Sequence, residues 1–212
     1  MHYVKRFHLT LGVFLAAIMV LAASWPAQAA PIPAGYNVWQ TITTDNPQKT
    51  WTISFNMPMD ANTVTNSNIY ILDDNGQRLT STVSLDDSGM AASVAPSSAY
   101  APGEEYRLYI TSGVASNKGV KLANQVIVPF VLRDLNKNIN MIDSQWSSFV
   151  TNLTVVTGPG VYWVKANGIS MIYEANGVFS LGMTKLSKGD TVTVQAYDSS
   201  GKLLETQKYI VQ

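Results

Sequence analysis

The sequence predicts an all-β chain: two antiparallel β-sandwiches in tandem after a cleaved signal peptide. Three observations predict it. Beyond residue 30, apolar and polar residues alternate with period two, and almost nowhere with the helical period. Turn dipeptides separate the alternating runs. A basic start, an apolar run and a small-residue cleavage pattern open the chain.

The leader is read from its parts. Lys5 and Arg6 supply the charge, Leu11 to Ala23 is apolar and uncharged, and Trp25-Pro26 breaks the run. Ala27-Gln28-Ala29 supplies the cleavage pattern, so residues 1–29 are expected to be removed. The apolar run falls short of the roughly 20 residues that a membrane span requires. No membrane span is therefore expected in the mature chain. The expected location is secreted, either extracellular or cell-wall-associated. No Cys follows the cleavage site, which argues against a lipoprotein anchor. No sorting motif follows the last predicted strand, so any attachment is expected to be non-covalent.

Composition narrows the function. Hydrophobic residues make up 46% of the 212-residue chain and charged residues 13%, enough apolar material for a packed core. The formal charge is zero, so no nucleic acid partner is expected. His2 and His8 leave with the leader, and the chain has no Cys. What remains contains neither imidazole nor thiol. This excludes His-based triads, thiol nucleophiles, and His/Cys sites for zinc or copper. No cofactor, metal or catalytic residue is expected, and the chain is not expected to be an enzyme.

The strands follow in order. Trp51-Thr52-Ile53-Ser54-Phe55 places Trp51, Ile53 and Phe55 on one face. Glu105 to Thr111 turns Tyr106, Leu108 and Ile110 inward, and Thr191 to Ala196 does the same with Val192, Val194 and Ala196. Such alternation means one buried face and one wet face. Hairpin turns are expected at Asp74-Asn75-Gly76, Asn167-Gly168, Asn176-Gly177 and Ser199-Ser200-Gly201. The stretch 133–146 is polar, Asn-rich and aperiodic at its start, and is read as a linker between sandwiches at 36–132 and 147–212.

Phe55-Asn56-Met57-Pro58-Met59-Asp60, then Thr63-Val64, then Asn68-Ile69, form one set of motifs. Tyr100-Ala101-Pro102-Gly103-Glu104-Glu105-Tyr106-Arg107-Leu108-Tyr109-Ile110, running on to Gly113-Val114, forms another. Together they resemble the SbsA-type bacterial Ig-like domain, named after S-layer proteins, over nearly all of 50–131. The segment Ala115-Ser116-Asn117-Lys118-Gly119 departs from that family's usual Asp and Gly-Asn turn. Leu186-Ser187-Lys188-Gly189-Asp190, then Val192 to Gly201, more loosely resembles the ending of a second small bacterial Ig-like module. The resemblance implies a structural or adhesive role at a bacterial surface.

Physical readings stand beside it. Asp60 suits the cap of a helical turn at 61–64 better than a calcium site. Gly103 fits a sharp turn before Tyr106. The adjacent acids Asp73/Asp74, Asp86/Asp87 and Glu104/Glu105 point to opposite faces of a strand, so neither member of a pair meets the other as an acid–base couple. They are read as solvated carboxylates. Ser199-Ser200-Gly201-Lys202 has the S-x-x-K spacing of an acyl-transfer nucleophile but sits on a turn, not a helix. Asp73-Asp74-Asn75-Gly76 is rich in oxygen but lacks the later acid of a calcium loop. Asn152-Leu153-Thr154 is a glycosylation sequon, of little meaning if the source is bacterial as the resemblance implies.

The remaining candidates are aromatic: Trp39, Trp146, Tyr162, Trp163 and Tyr173. In Tyr162-Trp163 one ring must face outward, where it could stack on a sugar or anchor a protein; the competing reading puts Trp163 in the core and leaves Tyr162 half-exposed at the surface. The candidate ligand contacts are Tyr162, Trp163 and Tyr173. The expected function is a secreted, non-catalytic structural or adhesive module whose partner is a cell-envelope protein or glycan. The alternative is a carbohydrate-binding module that uses these aromatics.

Overall fold

A computed structural model describes residues 33–147 and 149–212, with the Ser147 side chain excepted. The expected leader lies outside the described residues. Among those residues there is no helix, and none long and apolar enough to cross a membrane.

The chain forms β1 (Tyr36–Val38), β2 (Ile42–Thr44), β3 (Trp51–Ser54), β4 (Ile69–Asp73), β5 (Ser81–Leu85), β6 (Ala91–Pro96), β7 (Glu105–Ile110) and β8 (Gln125–Leu132). These build two sheets: a five-stranded one in the order β1-β8-β7-β4 with β2 also on β8, and a three-stranded one in the order β3-β6-β5. β1 and β2 run parallel to β8, one after the other along its edge, a departure from the purely antiparallel expectation. The core between the sheets is aromatic. Phe130 is fully buried, with Trp51 at 4.6 Å, Tyr100 at 5.1 Å and Tyr106 at 5.4 Å between ring centroids. Ile69, Ile71, Val94 and Val114 complete it.

The second half contains β9 (Ile139–Ser147), β10 (Val150–Thr157), β11 (Trp163–Ala166), β12 (Ile169–Ser170), β13 (Ile172–Ala175), β14 (Val178–Met183), β15 (Thr191–Tyr197) and β16 (Leu203–Ile210). Its sheets run β13-β14-β10-β9 and β12-β11-β15-β16. Leu153, Val155, Phe179, Val192, Val194 and Ala196 fill the space between them. Val192, Val194 and Ala196 are fully buried on alternate positions of β15, as the pattern required.

Residues 139–146, expected as linker, are strand β9 instead. A register shift opposite Val156/Thr157 pairs Thr157 with Ile139 and puts Ile139 out of step with Ile142, which scrambles the period-two signal. The Asp74-Asn75-Gly76 turn forms, with Gly76 at φ 76° and one bridge between Leu72 and Arg78. It does not make a hairpin ladder, because β4 pairs with β7 and β5 with β6 in the other sheet. The three later turns do join paired strands. Asn167 and Asn176 adopt φ 48° and 49°, each followed by a positive-φ glycine, the geometry a two-residue hairpin requires.

The expectation of one wet face also fails in the central sheet. Arg107 and Tyr109, on the polar alternation of β7, are as buried as Tyr106 and Leu108. Tyr109 stacks on Tyr70 at 5.1 Å and meets Tyr36 edge-on at 5.5 Å, while the Arg78 guanidinium lies 3.8 Å above the Tyr70 ring.

The halves meet through these outer faces. Val131 of β8 clusters with Val156, Val178 and Met141 of the second half. Thr43 Oγ1 donates to the Asn176 carbonyl at 2.9 Å. Gly158 N donates to the Asn138 carbonyl at 3.1 Å, and a side chain at Gly158 would run into the Lys137 carbonyl.

Candidate functional site

Three features bear on function: a charged cluster at the junction, an acidic cleft in the first half, and exposed aromatics in the second.

At the junction, Arg107 Nε donates to Glu105 Oε1 at 2.9 Å. Burial pushes the Glu105 carboxyl up; Arg107 pulls it down and Asp143 raises it further. Burial likewise raises Asp143, with the Ser144 backbone and Arg107 opposing. Glu105 was expected to be a solvated carboxylate and is not, because strand β9 covers its surroundings. Nearby, Arg133 makes a two-pronged contact with Asp45, at 2.7 and 2.6 Å, which holds the Asp45 carboxyl below its ordinary value. This arrangement ties elements together, and none of its residues lines the acidic cleft.

The cleft, about 470 Å³, lies where Asp73, Asp74, Thr80, Ser98, Glu104 and Tyr106 converge. Glu104 and Glu105 diverge as expected, but Asp73 and Asp74 both line the cleft, because they lie at the turn that ends β4, where strand alternation no longer holds, and Asp74 meets Glu104 from a different pair. Burial raises Glu104, and Asp74 adds to the rise. The Tyr106 hydroxyl accepts from Ala101 N at 2.8 Å. Among the described residues no group of three or more acidic, His or Cys side chains has the arrangement to hold a metal ion. Asp60 caps its turn by accepting from Asn62 N at 2.9 Å. Ser199 to Lys202 lies on the β15–β16 turn, where Asp198 accepts from the backbone of Ser200 and Lys202.

The expected ligand aromatics divide. Trp163 is 53% exposed on the outer face of β11, directly across from Tyr197 of β15. Tyr162 is also exposed, and its N–H donates to the Tyr197 carbonyl at 2.8 Å. Tyr173 belongs to the other sheet, on edge strand β13, and lies edge-on to the core residue Phe179 at 5.2 Å. Trp163 and Tyr173 thus belong to different sheets. Trp39 is exposed after β1, and Trp146 is 70% exposed near the end of β9.

Sequence reasoning missed Tyr197 and Leu203. Tyr197 follows the inward residues Val192, Val194 and Ala196 in strict alternation, so its outward position was legible. Its partnership with Trp163 depends on pairing between strands far apart in the chain, and Leu203 joins across the β15–β16 hairpin.

Residues 37–131 match the family model described as bacterial Ig-like domain. Residues 37–131 form a bacterial Ig-like domain. No curated protein matches the chain. Among solved structures, the S-layer protein SbsC is similar over 82% of this chain and 25% of its own length, at 16% identity and a TM-score of 0.36. The N-terminal part of SbsC has the same identity and TM-score, with 44% of that chain covered. A pullulanase from Anoxybacillus sp. LM18-11, complexed with maltotetraose, is similar at 12% identity over 80% of this chain and 23% of its own, with a TM-score of 0.28. The chain therefore spans less than half the length of these proteins.

Proposed function

We propose that this chain is an exported, non-catalytic module with a structural or adhesive role at or near a bacterial cell surface. Its partner on this reading is a protein or glycan of the envelope. The observation that carries the proposal is the Ig-like domain at 37–131, packed through Val131 onto a second sandwich that presents aromatic side chains to solvent. Two sandwiches joined by an apolar cluster and a buried charged cluster hold a fixed spacing, which suits a surface spacer. The exposed aromatic side chains supply the contact.

The test is location. Native cells are fractionated, and intact cells are probed with antibody against the chain. The chain is expected in the envelope or medium, reachable by antibody, and shortened by removal of its first 29 residues. A full-length product confined to the cytoplasm would overturn the reading.

A second reading, a carbohydrate-binding module, is favoured by one observation: Trp163 and Tyr197 lie side by side on an open sheet face.

A further inference from the structure

We infer that the outer face of the β12-β11-β15-β16 sheet binds an anionic polysaccharide. The inference rests on the surface reading above and deepens its second form.

The register of the sheet sets out the face row by row. Trp163, Tyr197 and Leu203 lie opposite one another on β11, β15 and β16 and form an apolar bar. Trp163 is 53% and Leu203 46% exposed among the described residues. Neighbouring strands are about 4.8 Å apart, so the bar extends roughly 10 Å, comparable to a disaccharide. The next row is Lys165, Gln195 and Thr206, and the row beyond pairs Thr193 with Lys208. Rows are separated by about 7 Å.

The polar content of the face identifies the occupant. The outward positions hold two lysines together with Thr, Gln and Ser side chains, and no Asp or Glu. Glu205, the acid within β16, is on the opposite register with Ala196 and accepts from Ile139 N at 3.2 Å. Asp198, next to Tyr197 in the chain, is occupied by Ser200 and Lys202. This cationic face belongs to a chain that carries 12 basic and 14 acidic residues once the leader is gone. The Lys165 ammonium lies 5.3 Å from the Tyr197 ring centre, which holds the charge beside the bar.

Each feature matches one part of a uronate-type sugar. The apolar face of a pyranose ring stacks on Trp163, as apolar groups do on indole. Its hydroxyls find Gln195 and Thr206. Its carboxylate pairs with Lys165, and that of a neighbouring residue with Lys208. A neutral glycan would leave both ammonium groups unmatched, and a polyanion without rings would leave the bar uncovered.

The test titrates the full chain, purified as the cell processes it, with polygalacturonate, neutral dextran and poly-L-glutamate, following Trp fluorescence and affinity. Polygalacturonate is expected to bind, dextran and poly-L-glutamate to bind at least tenfold more weakly, and added salt to weaken the polygalacturonate complex. Trp163→Ala, and separately the double change Lys165→Gln with Lys208→Gln, are each expected to reduce affinity about tenfold. All these side chains lie on the open face, so melting temperatures should stay unchanged and separate lost binding from lost fold. Failure to bind polygalacturonate, equal affinity for either control polymer, or full affinity in Trp163→Ala would overturn the inference. Envelope retention of the wild-type chain reads out the surface role separately, so either can fail while the other stands.

Discussion

Strands β7 and β15 show the same alternation in sequence and have opposite fates. In β15 the polar alternates remain at the surface beside Trp163, whereas in β7 Arg107 and Tyr109 are buried against the tyrosine cluster and the second half. Alternation reports which residues face the core of their own sandwich. It carries no information about whether a second body will cover the other face. The first half has its central sheet covered on both sides; the second keeps one sheet face open, and that open face is where contact with a partner can be made.

The largest break in this comparison comes from the first core. Phe130→Ala removes a fully buried ring that packs on three other aromatics, and is expected to cost about 3–5 kcal/mol. Denaturant unfolding monitored by fluorescence measures it. If the junction couples the halves, the second half loses stability as well. Next is the junction itself. Val131→Ala leaves a hole against Val156 and Val178, and is expected to cost about 2 kcal/mol and to separate a single calorimetric transition into two. One unchanged transition would show that the apolar cluster does not couple the halves.

A smaller effect is read from pH. Glu105 and Asp143 have folded values raised by burial. As pH rises past the ordinary carboxylate range, the unfolded chain has released these protons while the folded chain still retains them. Stability therefore falls across the interval up to the raised values, then levels off. Asp143→Asn is expected to flatten much of that fall, while Asp45, with its lowered value, acts in the opposite direction and loses stability as pH falls. Melting temperature measured from pH 2 to 8 checks both signs, the Asp45 loss falling below about pH 4. The smallest change is Gly168→Ala. The turn glycine has φ 80° and open space around it, so the cost is backbone strain alone, about 1 kcal/mol by thermal melting.

Much of the fold was legible. Asn167-Gly168 and Asn176-Gly177 marked true hairpins because the positive φ they tolerate is a local property. The inward sets of β7 and β15 were legible for the same reason. Strand β9 was hidden because a register shift put Ile139 and Ile142 out of step and because Ser144 faces inward, where it contacts the Tyr209 hydroxyl at 3.0 Å. At the candidate site, alternation required one ring of Tyr162-Trp163 to face outward and left Trp163 open to a core position; both are exposed, because Tyr162 precedes strand β11 and is not held to its alternation. Tyr197 and Leu203 were not linked to Trp163, since long-range strand pairing leaves no mark on either segment. That Tyr173 belongs to the other sheet was not legible, since the chain passes from one sheet to the other at Met171 with no break in its strand pattern.

The most direct test of the surface role is co-sedimentation of the purified chain with envelopes isolated from its native host. The chain is expected to pellet with them in a saturable manner and to be displaced by excess unlabelled chain. A chain that stays in the supernatant at every envelope concentration would contradict the account.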